Sequence, residues 1–435
     1  MTHDADEKSN ALKCVLGEGV FGAGMGFVAS MTALPLLLRS LGAGDLIVGL
    51  AGSIAMAGWL LLQPLGLFVL GRRRRAKRFL VPWSLGFSVP TYLAMGATVF
   101  FLAVRAPRLC ALLVLIIFAV RVLGAGMTIP FWSEWQAAVF RQGIRGRVIG
   151  LMAAASGLGF SLAALTSGWV QEWLPFPANY TLLFCVPVAF YIAAMGFYVR
   201  VREPEEFSAP YQPLKAGDLF RRFGASLGDA NFRRYLVGRL LLTLGGGAAA
   251  FFAVHFRSPE GGGLSDALVI KLGMLITFPQ AASSYLLGRL GDRAGHKAGV
   301  VIGATAQVAA ILFAFLGTGP LACAFCFSLL GIAWSAGAVA HQNMLLETCP
   351  HDSRAAHVTL SNMVLAPFVF LVPLGTGWVM ELLADRRTGI GLTLIPTLLG
   401  VAWLALAVRE PRAIELSRRT ELPDGKEAWK RAAIP

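Results

Sequence analysis

The chain has 435 residues, 56% of them hydrophobic and only 14% charged, far below the roughly 25% charge of soluble domains. That composition excludes a soluble globular chain, and the net charge of +14 does not point to nucleic acid, because the bases stand at the ends of apolar runs. Six cysteines, all but Cys349 inside apolar runs, make no disulfide framework.

From the amino end, Met1–Asn10 is acidic and polar, and the first apolar run is too long for the core of a cleaved signal. A membrane span needs about 20 apolar residues, and twelve can be drawn. The first six are Leu12–Leu38, Leu46–Leu70, Phe79–Val104, Leu109–Ala138, Val148–Val170 and Tyr180–Val199. The second six are Tyr235–Phe256, Leu268–Leu287, Ala298–Leu316, Leu321–Leu346, Ala356–Met380 and Gly389–Val408. Between the sets lies a charged, proline-bearing linker, residues 200–234, with one amphipathic turn expected around Leu219–Phe223. The expected organisation is a polar start (1–11), a six-helix bundle (12–199), the linker, a second bundle (235–408) and a polar tail (409–435).

Lys and Arg concentrate in alternate loops, including Arg72–Arg78, the linker and the tail. By the positive-inside rule both termini are expected in the cytoplasm. The halves also repeat. Gly17-Glu18 answers Gly238-Arg239, Gly66 answers Gly288, Arg145 answers Arg354, and Arg202-Glu203-Pro204 answers Arg409-Glu410-Pro411, at a slowly drifting offset. An even number of spans per half gives the two halves the same membrane orientation.

Between the eighth and ninth spans stands Gly288-Arg-Leu-Gly-Asp292-Arg293-Ala-Gly295-His-Lys297. Its glycines suit a short reversal, with Asp292 expected just past a helix end. Gly288, Asp292, Arg293, Gly295 and Lys297 match the signature loop of the major facilitator superfamily, which the chain resembles. The resemblance implies an all-α membrane fold of twelve helices in two bundles, and a gate at this loop. The first-half copy departs from it, with Leu70 where the family has an acid. Arg121 and the glycines after it resemble the family's fourth-helix pattern but are one residue short. The fifth span lacks the Gly-Pro pair of many drug–proton antiporters, which weighs against drug efflux.

Ionisable groups inside spans are costly and usually functional or paired. Glu18 and Arg239 are repeat mates on helices that line the central cavity in the superfamily. They read either as a proton site and an anion site, or as a salt bridge that closes the cytoplasmic side. Arg121, near mid-span, needs a partner and is read as a binding or coupling residue. Glu134, between Trp132 and Trp135, reads as an interfacial acid bound to Arg141 or Arg145, or, with Trp132, as a cavity or gate residue. Lys271 reads as snorkelling. His341 and Asn343, polar near the end of the tenth span, read as cavity or gate residues, or as packing. Trp59, Trp83, Trp132, Trp334 and Trp378 read as interface or core residues, or as rings that stack with a ligand. Gly22 and Gly26 have the spacing that lets helices approach.

No phosphate-binding loop, nucleophile elbow or metal-ligand spacing is present. The expectation is a secondary transporter, not an enzyme, without cofactor and driven by the proton gradient as symporter or antiporter. Its expected partners are a small-molecule substrate and the lipid bilayer, with no nucleic acid, in a monomer of a bacterial inner membrane. A weak preference for an anionic organic substrate follows from the span-internal arginines. An exporter of drugs or metabolites, or a scaffold or sensor of the same fold, are the alternatives.

Overall fold

Backbone groups in a hydrocarbon environment have no water to bond, so the long apolar runs form helices. In the computed structural model, which describes residues 2–63, 65, 77–202, 227–348 and 354–411, every regular element is helical. The readings that concern Gly66, Leu70, Arg72–Arg75, most of the linker, Cys349 and the tail beyond residue 411 lie outside the described residues.

The helices are α1 (Thr2–Phe27), α2 (Ala33–Ser40), α3 (Asp45–Leu61), α4 (Phe79–Leu102), α5 (Pro107–Gly126), α6 (Ile129–Val139), α7 (Gln142–Trp173) and α8 (Ala178–Val199). The second half has α9 (Ala230–Arg257), α10 (266–294), α11 (His296–Leu316), α12 (Gly319–Leu345), α13 (Arg354–Leu383) and α14 (Arg386–Leu406). Among the described residues, ten helical runs are long and apolar enough to cross a membrane, and α3 is a shorter apolar helix.

Among the spans drawn as continuous, the eighth and twelfth are interrupted at single residues, Gly273 and Thr393, and the first and fourth over two or more residues. The first stops at Phe27 and resumes at Ala33, two residues before Pro35; the fourth stops at Gly126 and resumes at Ile129, just before Pro130. Proline has no N–H to give the preceding turn, so it sits without cost in the first turn of a new helix. Within α9, Gly245, Gly246 and Gly247 pass into a 3-10 stretch, Gly246–Phe251.

The signature loop is corrected in detail. The helix that begins at Met274 runs through to Ala294, so Asp292 lies inside it and not past its end. Gly295 alone makes the reversal, at φ 85°, a region that favours glycine, and α11 starts at once. The Glu410 carboxylate accepts from the Lys297 backbone N–H at 2.9 Å, placing an acid at the helix start. The Lys297 ammonium donates to the Ala405 carbonyl at 2.7 Å.

The repeat is visible in contacts. Gly17 lies against the Tyr198 ring and Gly238 against Leu404. Asn10 bonds both the N–H and the C=O of Arg202, at 3.0 and 2.9 Å. Asn231 does the same to Arg409, at 2.8 and 3.0 Å. Each half thus straps its first helix to the end of its last one.

Across the halves, α3 packs on α13 and α7 on α10. The polar contacts between them gather at the end away from the chain termini. Asp45 pairs with Arg386 at 3.1 Å, Tyr180 donates to Asp266 at 2.7 Å, and Leu46 N–H donates to Glu381 at 2.9 Å. Lys271, read as snorkelling, instead pairs with Glu172 of the other half at 2.6 Å. The deepest of these contacts is Ser161 with Thr277, 2.7 Å between hydroxyls. Nearer the termini, no hydrogen bond or ion pair joins described residues of the two halves. Among the described residues, the polar contacts that seal one half to the other therefore lie at the end away from the termini.

Candidate functional site

Two charged cavities lie on the side of that seal nearer the termini. The first, of about 290 Å³, is lined by Glu18 and by Trp59, Trp132, Trp135, Tyr191 and Tyr198. Tyr198 donates to Glu18 Oε1 at 3.0 Å. The Trp132 and Trp135 rings stack at 5.0 Å, and the Tyr198 ring stands edge-on to Trp132 at 5.1 Å. The break before α6 turns these two tryptophans toward α1 and α8.

The second cavity, of about 250 Å³, is lined by Arg239, Thr243, Gln307, Trp334 and His341, with Met56 reaching in from the first half. The Arg239 guanidinium has no hydrogen-bond or ion-pair partner among the described residues, whereas its neighbours are tied down. Gln307 donates to the Leu242 carbonyl at 2.9 Å, and Tyr235 donates to the His341 carbonyl at 2.8 Å. A π turn, Gly337–His341, brings His341 to this wall. A third cavity, of about 350 Å³, lies between the halves under the seal and shares Met56 and Trp334 with the second.

Met56 and Trp59 stand one turn apart on α3, so their side chains are neighbours, and the cavities they line adjoin. Glu18 and Arg239 therefore belong to adjoining cavities, each supplied by its own half, and are not paired with each other. A free guanidinium across from a hydrogen-bonded carboxylate can hold an anionic group on one side and exchange a proton on the other.

The other site readings fall elsewhere. Arg121 is buried in the first bundle and lines neither cavity; it donates to the Tyr92 hydroxyl at 3.1 Å and lies over the Tyr92 ring at 4.9 Å. Its partner is a phenol and two rings, not a carboxylate. Arg141, read as a partner of Glu134, pairs with Glu7; the Glu134 side chain lies outside the described residues, as does that of Asp292. Arg293 is exposed, Gly288 lies within its helix, and Asn343 is part-exposed outside both cavities. Trp83 is tied to the Gly124 carbonyl at 3.1 Å, and Trp378 is exposed.

Sequence reading missed Tyr198, Gln307 and the ion pairs of the closed end. Gln307 had a signal, as the one amide side chain in α11. Tyr198 had only its offset from Leu404, the counterpart that packs on the repeat glycine. At the closed end Asp385 caps α14 by accepting from the Arg387 and Thr388 N–H groups at 3.0 and 3.2 Å. Its carboxyl is held below the usual carboxylate range, chiefly by the Thr388 hydroxyl.

No family model matches the chain, and no curated protein matches it. Solved structures do. A bacterial homolog of the human lysosomal transporter Spinster, inward-facing and unoccupied, aligns with a TM-score of 0.67 at 17% identity, over 93% of this chain and 97% of that one. A mutant of the nucleoside transporter NupG aligns with a TM-score of 0.75 at 11% identity, over 91% of this chain and 99% of that one. These likenesses span both halves of the chain. The chain has the fold of the major facilitator superfamily of transporters.

Proposed function

We propose that the chain is a proton-coupled secondary transporter that works by alternating access, with twelve spans in two bundles. Arg239 receives an anionic group of a small organic substrate, and Glu18 takes up and releases the proton. The end that bears the termini faces the cytoplasm of a bacterial inner membrane, so the form described is open inward. The observation that carries this reading is the Arg239 guanidinium, without a hydrogen-bond or ion-pair partner among the described residues, in a cavity adjoining that of Glu18. The transporter likeness of the fold supports movement of a solute, and the basic loops support the orientation. The signature loop, Gly288, Asp292, Arg293, Gly295 and Lys297, acts when the inner end closes.

The test is purified protein in liposomes, with substrate first found by thermal-shift screening of organic acids, since a ligand raises stability with its concentration over Kd. Glu18→Gln is expected to abolish accumulation driven by a proton gradient while leaving substrate exchange between the two sides. Arg239→Ala is expected to raise KM at least tenfold. Unchanged gradient-driven accumulation in Glu18→Gln overturns the proton assignment, and unchanged KM in Arg239→Ala overturns the anion assignment.

A further inference from the structure

The Glu18 cavity differs in kind from the one that holds Arg239. Among the described residues, every one that lines it belongs to the first half, and Glu18 is the only charged one of these. The rest of the wall is apolar or aromatic, with Ser84 and Thr128 as its aliphatic hydroxyls. A carboxylate in such a place needs a proton or a cation. The buried cation of this bundle, Arg121, does not line this cavity and donates to the Tyr92 hydroxyl.

The wall selects among cations. No group of three or more metal-binding side chains exists among the described residues, so a small hydrated ion would find one carboxylate and little else to replace its water. Tryptophan and tyrosine faces instead attract a cation whose charge is spread over an apolar surface. A second observation points the same way. The indole N–H of Trp135 is buried without an acceptor among the described residues, although Trp135 lines the cavity. A buried donor left alone costs about 1–3 kcal/mol, and a ligand that offers an acceptor removes that cost.

We propose that this cavity binds an organic ammonium group on an apolar body, a protonated or quaternary amine. Glu18 is the counterion, Trp59 and Trp132 supply ring faces, and the Trp135 N–H donates to an oxygen on the ligand. Glu18 holds a proton when the amine is absent. A volume of about 290 Å³ lies at the small end of ligand pockets, suited to the amine-bearing part of a molecule. With the Arg239 cavity one turn of α3 away, the substrate class becomes amphoteric organic molecules, in which amine and acid groups occupy adjoining cavities. That last step rests on the reading of Arg239 as the anion site; the amine site itself does not.

The test is calorimetric titration and tryptophan-fluorescence quenching of the purified full-length protein with benzyltrimethylammonium, and with neopentylbenzene, which has the same shape without charge. Saturable binding of the cation is expected, at least tenfold tighter than any binding of the neutral probe. Its Kd should rise at least tenfold in Glu18→Gln and several-fold in Trp132→Ala, and Trp132→Phe should restore most of it. Equal binding of both probes to the unaltered protein, or an unchanged Kd in Glu18→Gln, overturns the proposal; the first comparison needs no variant. Transport failure in liposomes with intact cation binding would remove the transport reading and leave this site. Loss of cation binding with intact acid transport would do the reverse.

Discussion

Arg386 grips Asp45 with both prongs of its guanidinium, Nε to Oδ1 at 3.1 Å and a terminal nitrogen to Oδ2 at 3.2 Å. Each side chain is only 11% exposed. Asp45 begins α3 in the first half and Arg386 begins α14 in the second, so the fork fastens the two bundles where they close. Fork-to-fork pairs withdrawn from water are among the stronger polar contacts. Asp45→Asn is expected to weaken closure by about 2 kcal/mol, roughly thirty-fold in the ratio of closed to open forms. A cysteine placed at Thr32, in the cavity beneath the seal, should then react faster with a membrane-impermeant maleimide applied from the closed end. An unchanged rate would show that the neighbouring pairs hold the seal without this one.

Glycine spacing on α1 has a packing consequence. A Cβ at Gly22 would run into the Ser156 carbonyl, and one at Gly26 into that of Phe160, both backbone atoms of α7. Backbone cannot swing aside as a side chain does. Gly22→Val is expected to cost at least the 1–3 kcal/mol or so typical of overpacking and to lower Tm by several degrees. Gly19→Ala, where the added carbon would sit at 3.5 Å from the Ala155 Cβ, should leave Tm almost unchanged. Equal effects would contradict the close approach of α1 and α7.

The two asparagine straps should behave alike. Removing either side chain leaves one N–H and one C=O of Arg202 or Arg409 without that partner. Asn10→Ala and Asn231→Ala should each lower stability by about 1–3 kcal/mol, read as similar falls in Tm. A fall in one alone would mean that the halves are not equivalently built.

Asp385 makes one part of the closed end sensitive to acid. Its folded-state pKa lies below the ordinary carboxylate value, from the Thr388 hydroxyl first and the Thr388 and Arg387 N–H groups after burial's opposing push. Its capping contribution is therefore complete above about pH 4 and is lost as pH falls through the depressed folded value. Asp385→Asn can still cap but carries no titrating group. Between pH 5 and 3 the unaltered protein should lose more Tm than Asp385→Asn does, and parallel curves would remove the assignment.

Much of the fold was legible because a bilayer imposes length. A run such as His296–Leu316 announces its span by composition alone, and Glu18 and Arg239 announced themselves by charge inside such runs. What stayed hidden were the partners. Asp45 and Arg386, or Glu172 and Lys271, are far apart in the chain, and nothing local marks one as the match of the other. Arg121 was legible as a buried cation that needs a partner, yet what it meets is a hydroxyl and ring faces. The signature loop misled in a different way. Three glycines suggested a turn, but Gly288 and Gly291 remain helical because α10 continues through them, and only Gly295 leaves the helix.

The straps at Asn10 and Asn231 bear on how the molecule is put together. Each ties off its own half without help from the other, so each bundle reaches a finished boundary before the two meet. A gene cut within the linker and expressed as two separate polypeptides should then yield two membrane-inserted pieces that find each other through the α3–α13 and α7–α10 faces. Assembly, on this account, is the docking of two completed parts.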